Sequence, residues 1–318
     1  MPFTGTYPST PETRSLQIGL QSILASVLKP ASVKVYQRNW EAFHQFCTTT
    51  LKRPHALPAD ATDLCLFLTH LAQKGLAYRT ITTYTSAISF VHKMHQYPDP
   101  SAVFIVNKTL QGIRNNTAQT TKSQLSPITK PILRKLITAL PEAFTSLYSR
   151  KLWAAVFALT YHACLRAGEA VQSNTLEHTL KTDQVTIQDN TIHIKFRSYK
   201  HSTTTTPTMV LQQDVDPICC PVYTLRQYLQ LRSNKGGPIF IDQNQSPIDR
   251  QLLSSTLKAM ITLIGLKPEN YNTHSFRIGR ATQLAQDNHS YATIQTAGRW
   301  HSSAYLRYIR PNSITLPN

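Results

Sequence analysis

Acidic side chains are scarce in this chain. Only 16 of its 318 residues are Asp or Glu, against 33 Lys and Arg, a formal balance of +17. Charge of either sign is thin at 15%, yet the basic excess is not confined to a tail. Residues 1–126 carry 12 basic and 5 acidic side chains; residues 127–318 carry 21 and 11. Two basic halves suit a protein that closes around a polyanion. A basic soluble protein with no specific partner has the same bulk composition, so charge alone does not choose.

Cysteine is also rare. Cys47, Cys65, Cys164, Cys219 and Cys220 show no metal-ligand spacing and no disulfide framework. Adjacent cysteines such as Cys219 and Cys220 are badly placed to bridge each other. All five are therefore expected to be reduced, in cytosol or nucleus. No apolar run approaches the ~20 residues that span a bilayer, and no signal-peptide pattern opens the chain, so no membrane partner is expected. A basic cluster of the nuclear-localisation kind is missing too, and no repeat of 20–50 residues is visible.

What the chain does have is apolar material in helical register. The apolar fraction is 41%, with 14 Tyr, 11 Phe and 3 Trp, and the length suffices for two domains. Residues 1–15, with Pro2, Gly5, Pro8 and Pro11, read as disordered. From Ser32, taken as an N-cap, Val33, Tyr36, Trp40, Phe43 and Cys47 recur at spacings of 3, 4, 3 and 4. Aromatics at that spacing are usually core, which outweighs a base-stacking role for Trp40 and Phe43. Further helices are expected over about 61–74, from Thr80, and over about 101–114, so that 16–114 makes a helical domain. Residues 115–127 are polar and aperiodic, a linker. Residues 128–318 form a second domain. It opens with helices at about 129–140 and 144–164, and helices return at about 221–232 and 249–264. Between them Val185–Gln188 and Thr191–Arg197 alternate around Asp189-Asn190 as a hairpin, with Thr208–Leu211 as a possible third strand. The fold class is mainly α with a small antiparallel sheet, α+β.

Chemistry concentrates in the last fifty residues. His274 and Arg277 stand one helical turn apart on one face, where two donors can hold the two non-bridging oxygens of one phosphate. Trp300 is followed eight residues later by Tyr308, on an expected short final helix. Upstream, Arg166 closes a long apolar helix, and Lys200 follows an apolar strand. Each has a plainer reading alone. Arg166 pairs with Glu169, Lys200 belongs to a solvated hairpin, and His274 with Arg277 is a satisfied core pair. Trp300 is a core anchor, and Tyr308 caps a helical surface.

The order of these pieces carries more than any one of them. "LRAGEA", "FRSYK", "HSFRIGRAT" and "GRWHSSAYLRYIR" resemble, in sequence order, the tyrosine recombinase (phage-integrase-like) family. The last two look closest to its Crypton and DIRS-type transposon branch. The resemblance implies a helical SAM-like core-binding domain that clamps DNA, followed by a catalytic domain. It implies a site-specific recombinase or transposase acting on double-stranded DNA, as a homodimer on each site and a tetramer at synapsis, in the nucleus. It also implies roles. Arg166, His274 and Arg277 hold the scissile phosphate, and Lys200 protonates the leaving 5′ oxygen. Trp300 takes the sixth position, and Tyr308 attacks phosphorus to leave a 3′-phosphotyrosyl link, with no metal or other cofactor. His301 remains an alternative to Trp300, Tyr305 to Tyr308, and Lys195 or Arg197 to Lys200. A type IB topoisomerase-like enzyme and a domesticated, catalytically silent DNA-binding protein share much of this pattern.

Overall fold

A computed structural model describes residues 10–117, 125–173, 178–197 and 208–310, which fall into two compact units, Met1–Lys122 and Ser123–Asn318. The first is helical: α1 (Pro11–Ala25), α2 (Pro30–Thr49), α3 (Ala61–Gln73), α4 (Tyr78–Met94) and α5 (Phe104–Thr117). Helix α1 lies partly inside the stretch expected to be disordered. Thr10 caps it by accepting from the Thr13 amide, and Pro11 supplies the preset φ of a first helical turn. None of its residues is buried. Ser32 is not the cap of α2; the helix starts earlier, at Pro30, for the same backbone reason. Helix α5 runs past Arg114 to Thr117.

Most apolar positions read from α2 to α5 meet in one core, but Val33, in the first turn of α2, is exposed. Phe43, Phe46, Leu64, Phe67, Leu68, Ile81, Ile88, Val106 and Ile113 are buried together, and Phe43 and Phe67 pack edge to face at 5.2 Å. Trp40 lies against this core. An Asp60–Asp63 capping box starts α3. Buried His92 accepts the Ala59 amide at Nε2 (3.0 Å) and meets the Ile88 carbonyl at Nδ1 (2.8 Å), tying the loop before α3 to α4.

The second unit is built around one helix. After α6 (Lys130–Thr138) and the short α7 (Leu140–Ala143), α8 (Leu147–His162) is buried at every position from Leu152 to His162. A helix that is apolar all round must be wrapped. It packs against α10 (Pro221–Leu231) and α12 (His274–Gln286), where Phe157 meets Phe276 at 5.7 Å. A four-residue turn, α9 (Ala167–Ala170), follows α8. The sheet of β1 (Val185–Gln188), β2 (Thr191–Lys195) and β3 (Thr208–Gln212) is antiparallel in the order β1-β2-β3, with Val185 opposite Ile194 and Ile194 opposite Met209. Ile192, Ile194 and Leu211 face the core. Helices α11 (Arg250–Leu263) and α13 (Tyr291–Gly298) complete the unit, and Ser303–Arg307 forms a 3₁₀ turn where a short final helix was expected.

Residues 126–128 belong to this unit rather than to a free linker. The Ser126 amide donates to the Asn270 carbonyl (2.8 Å) and the Ile128 amide to that of Ser275 (2.9 Å). Gly279 allows this contact, since a Cβ there would stand 1.8 Å from the Ile128 carbonyl oxygen. The five cysteines are all free. Among the described residues, no helix is long and apolar enough to cross a membrane, and no cluster of metal-ligating side chains occurs.

Candidate active site

The site grows from the C-terminal end of α8. Just past its last residue stand the Ala163 and Cys164 carbonyls, and Cys164 turns the chain with φ +49. Carbonyls at a helix C-terminus carry partial negative charge, so cations gather there favourably. Two arginines do so. Arg277, from the first turn of α12, donates Nη1 to the Cys164 carbonyl and Nη2 to the Gly298 carbonyl (2.9 Å). Arg299 donates to Ala163 (3.2 Å) and Cys164 (3.4 Å). Arg277 keeps an Nε–H that is buried without a partner. That donor is costly to leave unmade and available to an anion.

Arg166 is not on α8, as its place in the sequence suggests, but at the N-cap of α9. Its Nη1 pairs with Glu169 at 2.8 Å, its amide donates to the same carboxylate (2.9 Å), and its Nη2 reaches the Arg299 carbonyl at 3.3 Å. The plain expectation of an Arg166–Glu169 pair therefore holds, and the same pair ties Arg166 to the turn after α13. Glu169 is buried, and its other oxygen accepts from Arg299 at 2.6 Å. Burial pushes this carboxyl up, but Arg299 and Arg166 outweigh it and hold it below the ordinary carboxylate range.

Four of the expected residues meet at one place. The Arg277 guanidinium, itself 1% exposed, lies 4.5 Å from the Trp300 ring and 5.5 Å from that of Tyr308. Trp300 and Tyr308 are 4.9 Å apart, and His274 stacks on Tyr308 at 6.2 Å with planes 19° apart. Tyr308 ends the 3₁₀ turn, and its carbonyl accepts from the Thr282 hydroxyl of α12 (3.3 Å). The triplet Gly298-Arg299-Trp300 has a steric logic. The Trp300 ring occupies the space of a residue-298 side chain, so that a Cβ there would come within 1.7 Å of the ring, and only glycine fits. Arg299 then takes the left-handed slot at the helix end, φ +52, usually given to glycine.

The alternatives separate. Tyr305 meets Trp300 at 6.4 Å and Tyr291 at 5.9 Å, whereas Tyr308 is the ring against Arg277. His301 is exposed. Arg197 pairs with Asp183 at 2.6 Å, and Lys195 ends β2. Lys200 lies outside the described residues. Sequence reasoning missed Arg299, although an arginine between Gly298 and Trp300 at an apolar helix end was a visible signal.

A cleft of about 380 Å³ in the same unit lies elsewhere, lined by Leu140, Leu147, Ala154, Ile218 and Tyr223 with Arg150 and Lys151.

The backbone is shared with recombinases of known structure. XerH site-specific recombinase, solved bound to palindromic difH substrate as a post-cleavage complex, matches with a TM-score of 0.64 at 20% identity. The match covers 87% of this chain and 75% of that one. The Tn1549 transposon integrase, solved in complex with a circular intermediate DNA, matches at 0.64 and 12% identity over 92% and 93%. A lambda integrase dimer bound to a core site matches at 0.61 and 14% identity over 96% and 98%. At these identities the likeness speaks for the fold alone. No curated protein matches the chain. The family profile described as "Phage integrase family" matches residues 128–313, more than half the chain and all of the arginine centre, and the chain therefore belongs to the phage integrase, or tyrosine recombinase, family.

Proposed function

We propose that the chain is a site-specific DNA recombinase of mobile-element type, similar to the Crypton and DIRS-type enzymes. On this reading it cuts and rejoins double-stranded DNA through a 3′-phosphotyrosyl intermediate. The observation that carries it is the Tyr308 ring set against the buried Arg277 guanidinium, with His274 stacked on one side and Trp300 packed alongside. A tyrosine oxygen is a weak nucleophile at neutral pH, where the free phenol has a pKa of about 10, and it needs dense positive charge beside it. Arg277 and Arg166 supply that charge near one helix end, and His274 stacks on the phenol ring.

In this mechanism the scissile phosphate takes the donors that Arg277 keeps free, together with Arg166 and His274. Access to Arg277 requires the Trp300 and Tyr308 rings to shift, exchanging a cation–π contact for a charge-assisted hydrogen bond, the stronger interaction. The Tyr308 oxygen attacks phosphorus and gives up its proton with help from His274. The phosphorus–5′ oxygen bond breaks, and Lys200 protonates the departing oxygen. The 5′-hydroxyl of the second strand reverses the step, so the bond energy is kept and no metal or nucleotide is called for. Two copies on each site and four at synapsis, in the nucleus, belong to the same reading.

The test is covalent trapping on a suicide substrate cut from the element's own junction. A protein–DNA adduct is expected with wild type and Tyr305→Phe, and none with Tyr308→Phe. An adduct lost with Tyr305→Phe instead would reassign the nucleophile. No adduct on a junction that the wild type binds would favour a silent DNA-binding protein.

A further inference from the structure

We propose that Arg299, a residue to which the reading above gives no part, is the positioning residue for Arg166: it clamps Glu169, and Glu169 in turn sets where the Arg166 guanidinium points. The inference rests on the recombinase reading of Arg166 as a phosphate ligand.

Three observations carry it. First, Glu169 is shared. One oxygen takes Arg166 Nη1 at 2.8 Å; the other takes Arg299 Nη2 at 2.6 Å and the Arg166 amide at 2.9 Å. A carboxylate held from both sides is fixed in rotamer and direction, and so is the guanidinium that it pairs with. Second, Arg299 occupies a place that a merely structural residue need not. It has φ +52 and is 7% exposed, although glycine would take that backbone without strain. A long cation is kept there against both costs. Third, the Arg299 side chain joins separate parts of the unit. It reaches the α8 end through Ala163 and Cys164, and α9 through Glu169. Its guanidinium also lies 4.1 Å from the ring of buried Phe196, just after β2. The carbonyl of the same residue accepts from Arg166 Nη2, so Arg299 holds both ends of the Arg166 fork.

Arg299 does not itself meet substrate. Its two Nη atoms are spent on four protein acceptors, its face lies on a ring, and its side chain is 4% exposed against 21% for Arg166. Removing it strips Glu169 of one donor in a buried place, so that the carboxylate takes up a proton or turns to recruit Arg166 more fully. The first loosens the Arg166 guanidinium and the second pulls it toward Glu169, and either takes it from its set direction.

The experiment is single-turnover cleavage at saturating junction DNA for Arg299→Leu, Arg299→Lys, Arg166→Ala and the two pairwise combinations. Junction affinity and thermal midpoint are measured alongside. With Arg299→Leu the cleavage rate is expected to fall about 10- to 100-fold, the size of effect known for partners that orient an active group. Junction affinity should change little, and Arg299→Lys, which keeps one charged donor toward Glu169, should recover part of the rate. In the Arg166→Ala background the same Arg299 changes should cost less than about threefold, because residues acting as a unit are not additive. Losses that multiply in the double variants would overturn the proposal, as would a rate that simply follows the thermal midpoint. If Arg299→Leu does not fold, the Lys variant carries the same comparison. Absence of any wild-type adduct is a different result, and strikes the recombinase reading itself.

Discussion

Residue 298 shows how much of the centre hangs on one missing atom group. A Cβ there collides with the Trp300 ring, which in turn packs on Arg277 and Tyr308. Gly298→Ala is expected to destabilise the protein by about 1–3 kcal/mol, the usual range for overpacking, and to displace Trp300. Thermal melts and a shifted Trp emission check this; an unchanged spectrum with full cleavage would count against the packing argument. Arg277 has a different kind of importance. Arg277→Ala is expected to slow cleavage by on the order of 10² or more, the scale of a lost oxyanion donor, as read by adduct formation over time.

At the scale of an element, α8 is the unit's axis and also carries a polar load. His162, near its end, is buried beside Arg280 and Asp214, the latter at 3.9 Å and paired with Lys130 at 2.7 Å. Burial and then the Arg280 charge push its pKa well below the ordinary value of 6.5. The folded ring therefore binds a proton less readily than the unfolded one. Its contribution to stability is complete above pH 6.5 and is lost as the pH falls below that value. Replacing His162 by Leu should shrink the slope of stability against pH between about 6.5 and 5, measured by denaturant melts at each pH. The slope shrinks rather than vanishes, because buried His92 of the first unit is shifted in the same direction. An unaltered slope in the variant would refute this account of the helix end.

For the whole molecule the dominant quantity is charge. Both units are basic, and the formal total is +17. The logarithm of the affinity for duplex DNA is expected to fall linearly with log salt, with a slope of about −0.9 per phosphate neutralised. Truncating an arginine that touches phosphate, Arg166 being the candidate, should reduce that slope by roughly one. A titration series from low to moderate salt decides it. Binding indifferent to salt would be incompatible with phosphate contacts made by so basic a chain.

The sequence by itself determined the periodic parts. Spacings of three and four residues in α2 and α3 dictate which face is buried, and period-two alternation around Asp189-Asn190 dictates the hairpin, because both are local consequences of backbone geometry. The ordered motifs likewise placed Arg166, Lys200, His274, Arg277, Trp300 and Tyr308 in one family pattern, and the fold sets Trp300 and Tyr308 on the Arg277 guanidinium and His274 on Tyr308. Sequence reasoning did not find α1, because a capped proline start is indistinguishable by composition from a disordered Pro-rich stretch. The family spacing favours Tyr308 over Tyr305, three residues apart, but which of the two rings lies against Arg277 depends on the 3₁₀ turn and has no local signal. Arg299 and Glu169 are the clearest case. They are 130 residues apart, and their pairing exists only because α8 brings its carbonyl end, the α9 turn and the end of α13 to one point. A contact of that kind has no period in the sequence; only the tertiary structure decides it.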